Sequence, residues 1–161
     1  MWNLYRWYGL GRRYPKLNSA FWRGFRALDA HVNPECDSAL WTNLFKVNVN
    51  GSVMENCTRA EIAKIQKAQR GLLQYEIAVL KPDVVVFFTG PRYDSAIRAE
   101  IDGVAFEPID SLPELCVPLS SLALLRAPGL PLKTVRSYHP EYLQRSRQWN
   151  LISVIAEWAK S

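Results

Sequence analysis

Cysteine is scarce in this chain, and histidine scarcer. The three cysteines, Cys36, Cys57 and Cys116, are scattered and odd in number. No spacing among them resembles a zinc site and no even set outlines a disulfide framework, so a reduced, cytoplasmic setting is expected. No apolar run approaches the length that spans a bilayer, and no membrane partner is expected. The opening residues, Met1 to Tyr8, lack the long apolar stretch of a signal peptide. Internal repeats, low-complexity tracts and interdomain linkers are absent. So are the GxGxxG and P-loop patterns that cradle phosphates, which leaves a nucleotide-binding doubly wound domain without its usual signal. Neither sign of charge dominates. Twenty Lys+Arg against 15 Asp+Glu leave a net charge of +5, which suits a polyanionic partner without demanding one.

What is present is aromatic and globular. The 161 residues fit one domain, 1–161, with enough apolar content to bury a sizeable core. The start is unusual, because Trp2, Tyr5, Trp7 and Tyr8 favour burial where most domains fray. The chain therefore reads as an N-terminally incomplete domain. Asn18 or Ser19 caps a helix whose apolar residues Phe21, Trp22, Phe25 and Leu28 share a face, and Asn33-Pro34 ends it. Residues 39–47 suit a buried strand. Residues 48–57 are polar and loop-like. Thr58 and Glu61 form a capping box that opens one long helix, broken at Lys81-Pro82-Asp83. Residues 84–88, all Val and Phe, form the clearest buried parallel strand. A short helix follows from Tyr93 to Ile101. Short strands are expected at 104–106 and, as one of two alternatives, at 119–125. A last strand at 133–138 leads to a final helix over 146–160. Alternating strands and helices predict an α/β domain with a largely parallel sheet.

The run Ser137-Tyr138-His139-Pro140-Glu141-Tyr142-Leu143-Gln144-Arg145 holds one of the two histidines. Proline fixes its own φ and keeps the preceding residue out of the helical region, so His139 is held on a bend where a strand exits. The carboxyl ends of parallel strands are where α/β sheets bind ligands. Three loops would meet there: Asn43 to Lys46, Thr89-Gly90-Pro91-Arg92, and Tyr138-His139-Pro140, with Lys46, Arg92, Arg136 and Arg145 nearby. Asparagine donates and accepts at once and can read a base edge. Glycine permits close backbone approach. Histidine can donate to an oxygen that gains charge in a transition state.

This order resembles the uracil-DNA glycosylase superfamily. The resemblance rests on four stretches: 40–46 around Asn43, 75–86, Phe88-Thr89-Gly90, and 135–143 around His139-Pro140. It covers the chain from Leu40 onward. It implies a three-layer α/β/α sandwich with a mainly parallel central sheet, here lacking the family's first strand and the Gly-rich loop that positions the attacking water. It further implies that Asn43 binds a flipped-out base, that His139 stabilises the leaving base, and that Pro140, Glu141, Tyr142 and Leu143 wedge into DNA. Arg145 is read here as a phosphate contact. DNA is the implied partner, and no metal or other cofactor is implied. The implied activity is hydrolysis of the N-glycosidic bond of uracil or a modified base. The alternative is a catalytically inactive relative that binds nucleic acid or protein.

Each residue also has a plainer reading. His139 can simply cap the last turn, Asn43 can bond its own strand end, and Gly90 can mark a tight turn. Lys64, Lys67 and Arg70 fit a solvated helix face, His31 a helix C-terminus. Nothing in the sequence fixes the oligomeric state.

Overall fold

The computed structural model describes residues 18–33, 39–47, 56–109 and 117–161. They fall into two compact units. Of the described residues, one comprises 18–33, 39–42 and 138–161, the other 43–47, 56–109 and 117–137.

The first unit is helical. Helix α1, Ala20–Val32, starts where Ser19 Oγ accepts the Trp22 amide, and ends at Asn33. Its inner face buries Trp22, Gly24, Phe25 and Asp29. It packs on α5 (Pro140–Arg145) and on α6 (Leu151–Lys160). Gly24 has a steric reason to be glycine, because a Cβ there would lie 2.9 Å from Pro140 Cγ. The final helix expected over 146–160 begins only at Leu151, and a separate short helix, α5, occupies 140–145, where a loop was expected. Ser146 caps α5, and Arg147 adopts a left-handed φ of 58° before α6 begins.

The second unit joins helices to a small sheet. The Thr58 capping box forms as expected and opens α2, Arg59–Gln69. The long helix predicted from there is interrupted. Gly71, at φ 81°, ends one axis and starts α3, Leu72–Leu80. Lys81 closes α3 in a left-handed conformation, and β1, Val84–Phe88, follows. A 3-10 turn at Pro91–Tyr93 leads into α4, Asp94–Glu100. Strands β2 (Ala105–Glu107), β3 (Leu122–Arg126) and β4 (Lys133–Ser137) complete the sheet, in the order β1-β4-β3-β2.

That order corrects the expected architecture. Only β1 and β4 are parallel, while β3 pairs antiparallel with both β4 and β2. The sheet is mixed and mostly antiparallel, so the three-layer sandwich with a mainly parallel sheet is not the fold. The cause lies in the connections. A parallel return needs a crossover of about a dozen residues or more. Residues 127–132 are too few, and they turn at Gly129, φ 82°. Arg126 Nη1 donates to Leu132 O at 2.6 Å, and Thr134 Oγ1 to Pro131 O at 2.7 Å, which tie the hairpin shut.

The strand expected at 39–47 is also corrected. These residues form no strand. Leu40 and Val47 are 57% and 53% exposed, which removes the burial that a central strand needs. The core of this unit lies elsewhere, among Leu73, Ile77, Phe87, Ile97, Ile101, Val104, Ala123 and Leu125. Ile97 and Ile101 are fully buried, each contributing about 1.5–3 kcal/mol of transfer free energy. Among the described residues no helix is long and apolar enough to cross a membrane.

Candidate functional site

His139 follows β4 after one residue and is the N-cap of α5, with an extended backbone of φ −57° and ψ 139°. Pro140 occupies the first helical position, where its missing N–H costs nothing. The His139 carbonyl accepts from the Tyr142 and Leu143 amides, and its Nδ1 accepts the Glu141 amide at 3.3 Å. A neutral imidazole that accepts at Nδ1 carries its hydrogen on Nε2. The ring lies nearly parallel to that of Phe21, 12° apart with centroids at 5.8 Å. Burial of this half-covered ring lowers its pKa, and the Glu141 carboxylate only partly opposes the shift. Burial thus favours the neutral ring, and with Nδ1 accepting the Glu141 amide, Nε2–H is its donor.

The segment expected to wedge into DNA is a helical turn. Pro140 and Leu143 are buried, Leu143 completely, so neither is presented to a ligand. Glu141, Tyr142 and Arg145 are exposed. Tyr142 lies against Tyr138 with ring centroids 4.3 Å apart. The next turn of α5 is tied to α1 through Arg23 Nη2, which donates to Gln144 Oε1 at 2.5 Å. Arg23 also lies over the Trp149 ring at 5.9 Å.

Asn43 is the first residue of the second unit, whereas His139 belongs to the first. Asn43 is exposed. The three residues after it are held from several sides. Gln69 Oε1 accepts the Lys46 amide and Gln69 Nε2 donates to the Leu44 carbonyl, both at 2.9 Å. Lys46 Nζ pairs with Glu76 Oε2 at 2.5 Å. The Phe45 ring meets Tyr93 edge to face at 6.2 Å, which brings this segment to the turn after Gly90. Gly90 has φ 70° and ψ 170°, a conformation essentially restricted to glycine, and its amide donates to Ser137 O at 2.9 Å. It thus joins the exits of β1 and β4, as a tight-turn glycine does.

Two of the four cations expected near these loops, Lys46 and Arg136, are held by carboxylates. Lys46 is engaged by Glu76. Arg136, 1% exposed, is bound by Asp94 through Nε at 3.0 Å and Nη2 at 3.3 Å, and it donates to the Ser120 and Leu119 carbonyls. Arg145 remains exposed. Two features were not anticipated from the sequence: the Arg136–Asp94 pair, whose partners stand 42 residues apart, and Gln69, whose amide also donates to the buried Glu100 Oε1 at 2.8 Å. Their only sequence signal is polarity at positions that the helix and strand periods turn inward. Cys57 is half-buried, while Cys36, Cys116, the aromatic start and most of the 48–57 loop lie outside the described residues.

Among the described residues no group of three or more His, Cys, Asp or Glu side chains could hold a metal ion. An open apolar depression of ≈ 420 Å³ lies between β3 and the 127–132 hairpin, lined by Leu125, Ala127, Leu130 and Leu132 among others. It contains none of the candidate residues. No protein-family model, curated protein or solved structure matches the chain.

Proposed function

We propose that this chain acts on a base in DNA as a glycosylase-type hydrolase of the uracil-DNA glycosylase kind, with His139 as the donor to the leaving base. One observation carries the reading. The Glu141 amide occupies Nδ1 and so directs the imidazole hydrogen to Nε2, on a ring whose burial favours the neutral form. When the N-glycosidic bond breaks, its electron pair goes to the base and negative charge develops on a base carbonyl oxygen. Water adds to the sugar carbon and loses a proton, which ends on the departed base anion, giving free base and an abasic site. A fixed N–H donor aimed at the developing charge acts in the transition state more than in the ground state. Asn43, exposed on a braced segment, is assigned the base edge, and Arg145 a phosphate.

The test is abasic-site formation on oligonucleotides carrying uracil, hypoxanthine, xanthine or hydroxymethylated cytosine. Cleavage of at least one is expected, with His139→Ala slower by about 10²–10³, the usual cost of one such donor. Equal rates for the two proteins would sink the assignment of His139.

A second reading is favoured by the N-cap itself. The same Nδ1 bond and the buried Pro140 and Leu143 serve α5 structurally, as they would in a catalytically silent relative that binds nucleic acid. Binding that weakens steeply with salt, without any abasic product, would select it.

A further inference from the structure

We infer that Gln69, oriented by Glu100, is the positioning residue that sets the Asn43 segment for base reading. The inference rests on the base-reading role proposed above for Asn43. Gln69 is 5% exposed and Glu100 3%. The Gln69 amide makes three bonds: Oε1 accepts from Lys46 N, and Nε2 donates to Leu44 O and to Glu100 Oε1. Both amide hydrogens and the amide oxygen are therefore used, which fixes which way the amide faces.

The pattern has a backbone counterpart. In a parallel ladder one residue donates its N–H to a carbonyl and accepts from the amide two residues further along the neighbouring strand. Gln69 does the same to Leu44 and Lys46 with its side chain. A single buried amide thus substitutes for a strand partner, and residues 44–46 hold an ordered course outside the sheet. Leu44 also packs on the core, Phe45 abuts Tyr93, and Lys46 pairs with Glu76. Asn43 stands exposed at the end of this braced segment. Glu100 Oε2 finds no donor among the described residues, so its bond to Gln69 is the carboxylate's hydrogen bond there. Placing base-reading side chains correctly matters steeply, since a misplacement of about 1 Å can cost about 100-fold in rate.

The experiment compares the full chain with Gln69→Met, Asn43→Ala and the double variant. Gln69→Met removes the amide and adds no charge. Three readouts are needed: kcat/KM for each base, affinity for an oligonucleotide with an abasic site, and amide hydrogen exchange at Lys46. In the unsubstituted chain the Lys46 amide should be protected although it lies in no strand. Gln69→Met should lose that protection and lower kcat/KM for the preferred base about 10- to 100-fold. Its preference among bases should flatten while abasic-site affinity stays unchanged, because an abasic site offers nothing for Asn43 to read. Added to Asn43→Ala, it should have no further effect.

An unprotected Lys46 amide in the unsubstituted chain overturns the inference without any variant. So does an unchanged base preference in Gln69→Met, or an additive effect in the double variant. A different result removes the underlying reading. If a cleaving chain is indifferent to Asn43→Ala, or the folded chain cleaves nothing, the base-reading role fails first and the inference fails with it.

Discussion

Arg136 gives the sharpest energetic prediction. It is 1% exposed, and its counter-charge is Asp94, whose side chain is 18% exposed. Asp94→Ala removes both carboxylate contacts, at 3.0 and 3.3 Å, and leaves a guanidinium inside the fold with the Leu119 and Ser120 carbonyls and the Phe106 ring, 5.9 Å away, but no counter-charge among the described residues. Stranding one member of a buried ion pair costs about 3–5 kcal/mol. The two retained carbonyl bonds and the partial exposure of Asp94 place this case near the lower figure. A loss of about 3 kcal/mol is a large part of the 5–15 kcal/mol typical of a domain. Replacing both partners, Asp94→Ala with Arg136→Met, removes the buried charge and should recover much of the loss, because apolar replacements of buried pairs are often near neutral. Urea unfolding of the three variants gives the answer. A cost under about 1 kcal/mol for Asp94→Ala, or a double variant weaker than the single, would refute the claim that the pair neutralises a buried cation.

Three further predictions are independent of it. Gly24→Ala places a Cβ against Pro140 Cγ at 2.9 Å and should cost about 1–3 kcal/mol, read as a lowered Tm. Gly90→Ala forces a side chain onto φ 70° and ψ 170° and should cost about 1–3 kcal/mol, read in urea. His139 should make stability depend on pH. Its folded pKa is lowered by burial, so the unfolded chain binds more protons. Its contribution is complete above the ordinary value near 6.5 and is lost as pH falls through the lowered folded value. His139→Gln should flatten that part of the stability profile, and an unchanged slope would contradict the assigned shift.

Local chemistry was legible in the sequence, and long-range pairing was not. Ser19 and Thr58 name their helices because capping depends on residues three apart. The all-apolar β1 and the strand before His139 stand where β propensity places them. Residues 39–47 misled because their apolar start, Ala39-Leu40-Trp41, reads as a buried strand, while the partner that orders residues 44–46 is a side chain on a helix. Strand direction misled for a similar reason. Alternating elements suggest parallel pairing, yet the short 127–132 connection makes β3 and β4 a hairpin. Around His139 the bend before Pro140 was readable, but the burial of Leu143 was not. That depends on α5 being a helical turn packed on α1, a contact between residues far apart in sequence.

The proposed chemistry depends most directly on the state of one imidazole. The measurement is the nitrogen-15 spectrum of His139 in the isotope-labelled full chain at neutral pH. The structure predicts a neutral ring protonated at Nε2, with Nδ1 showing the shift of an acceptor nitrogen. A ring protonated at Nδ1, or an imidazolium at neutral pH, would contradict the bond from the Glu141 amide and remove the donor on which the proposed chemistry rests.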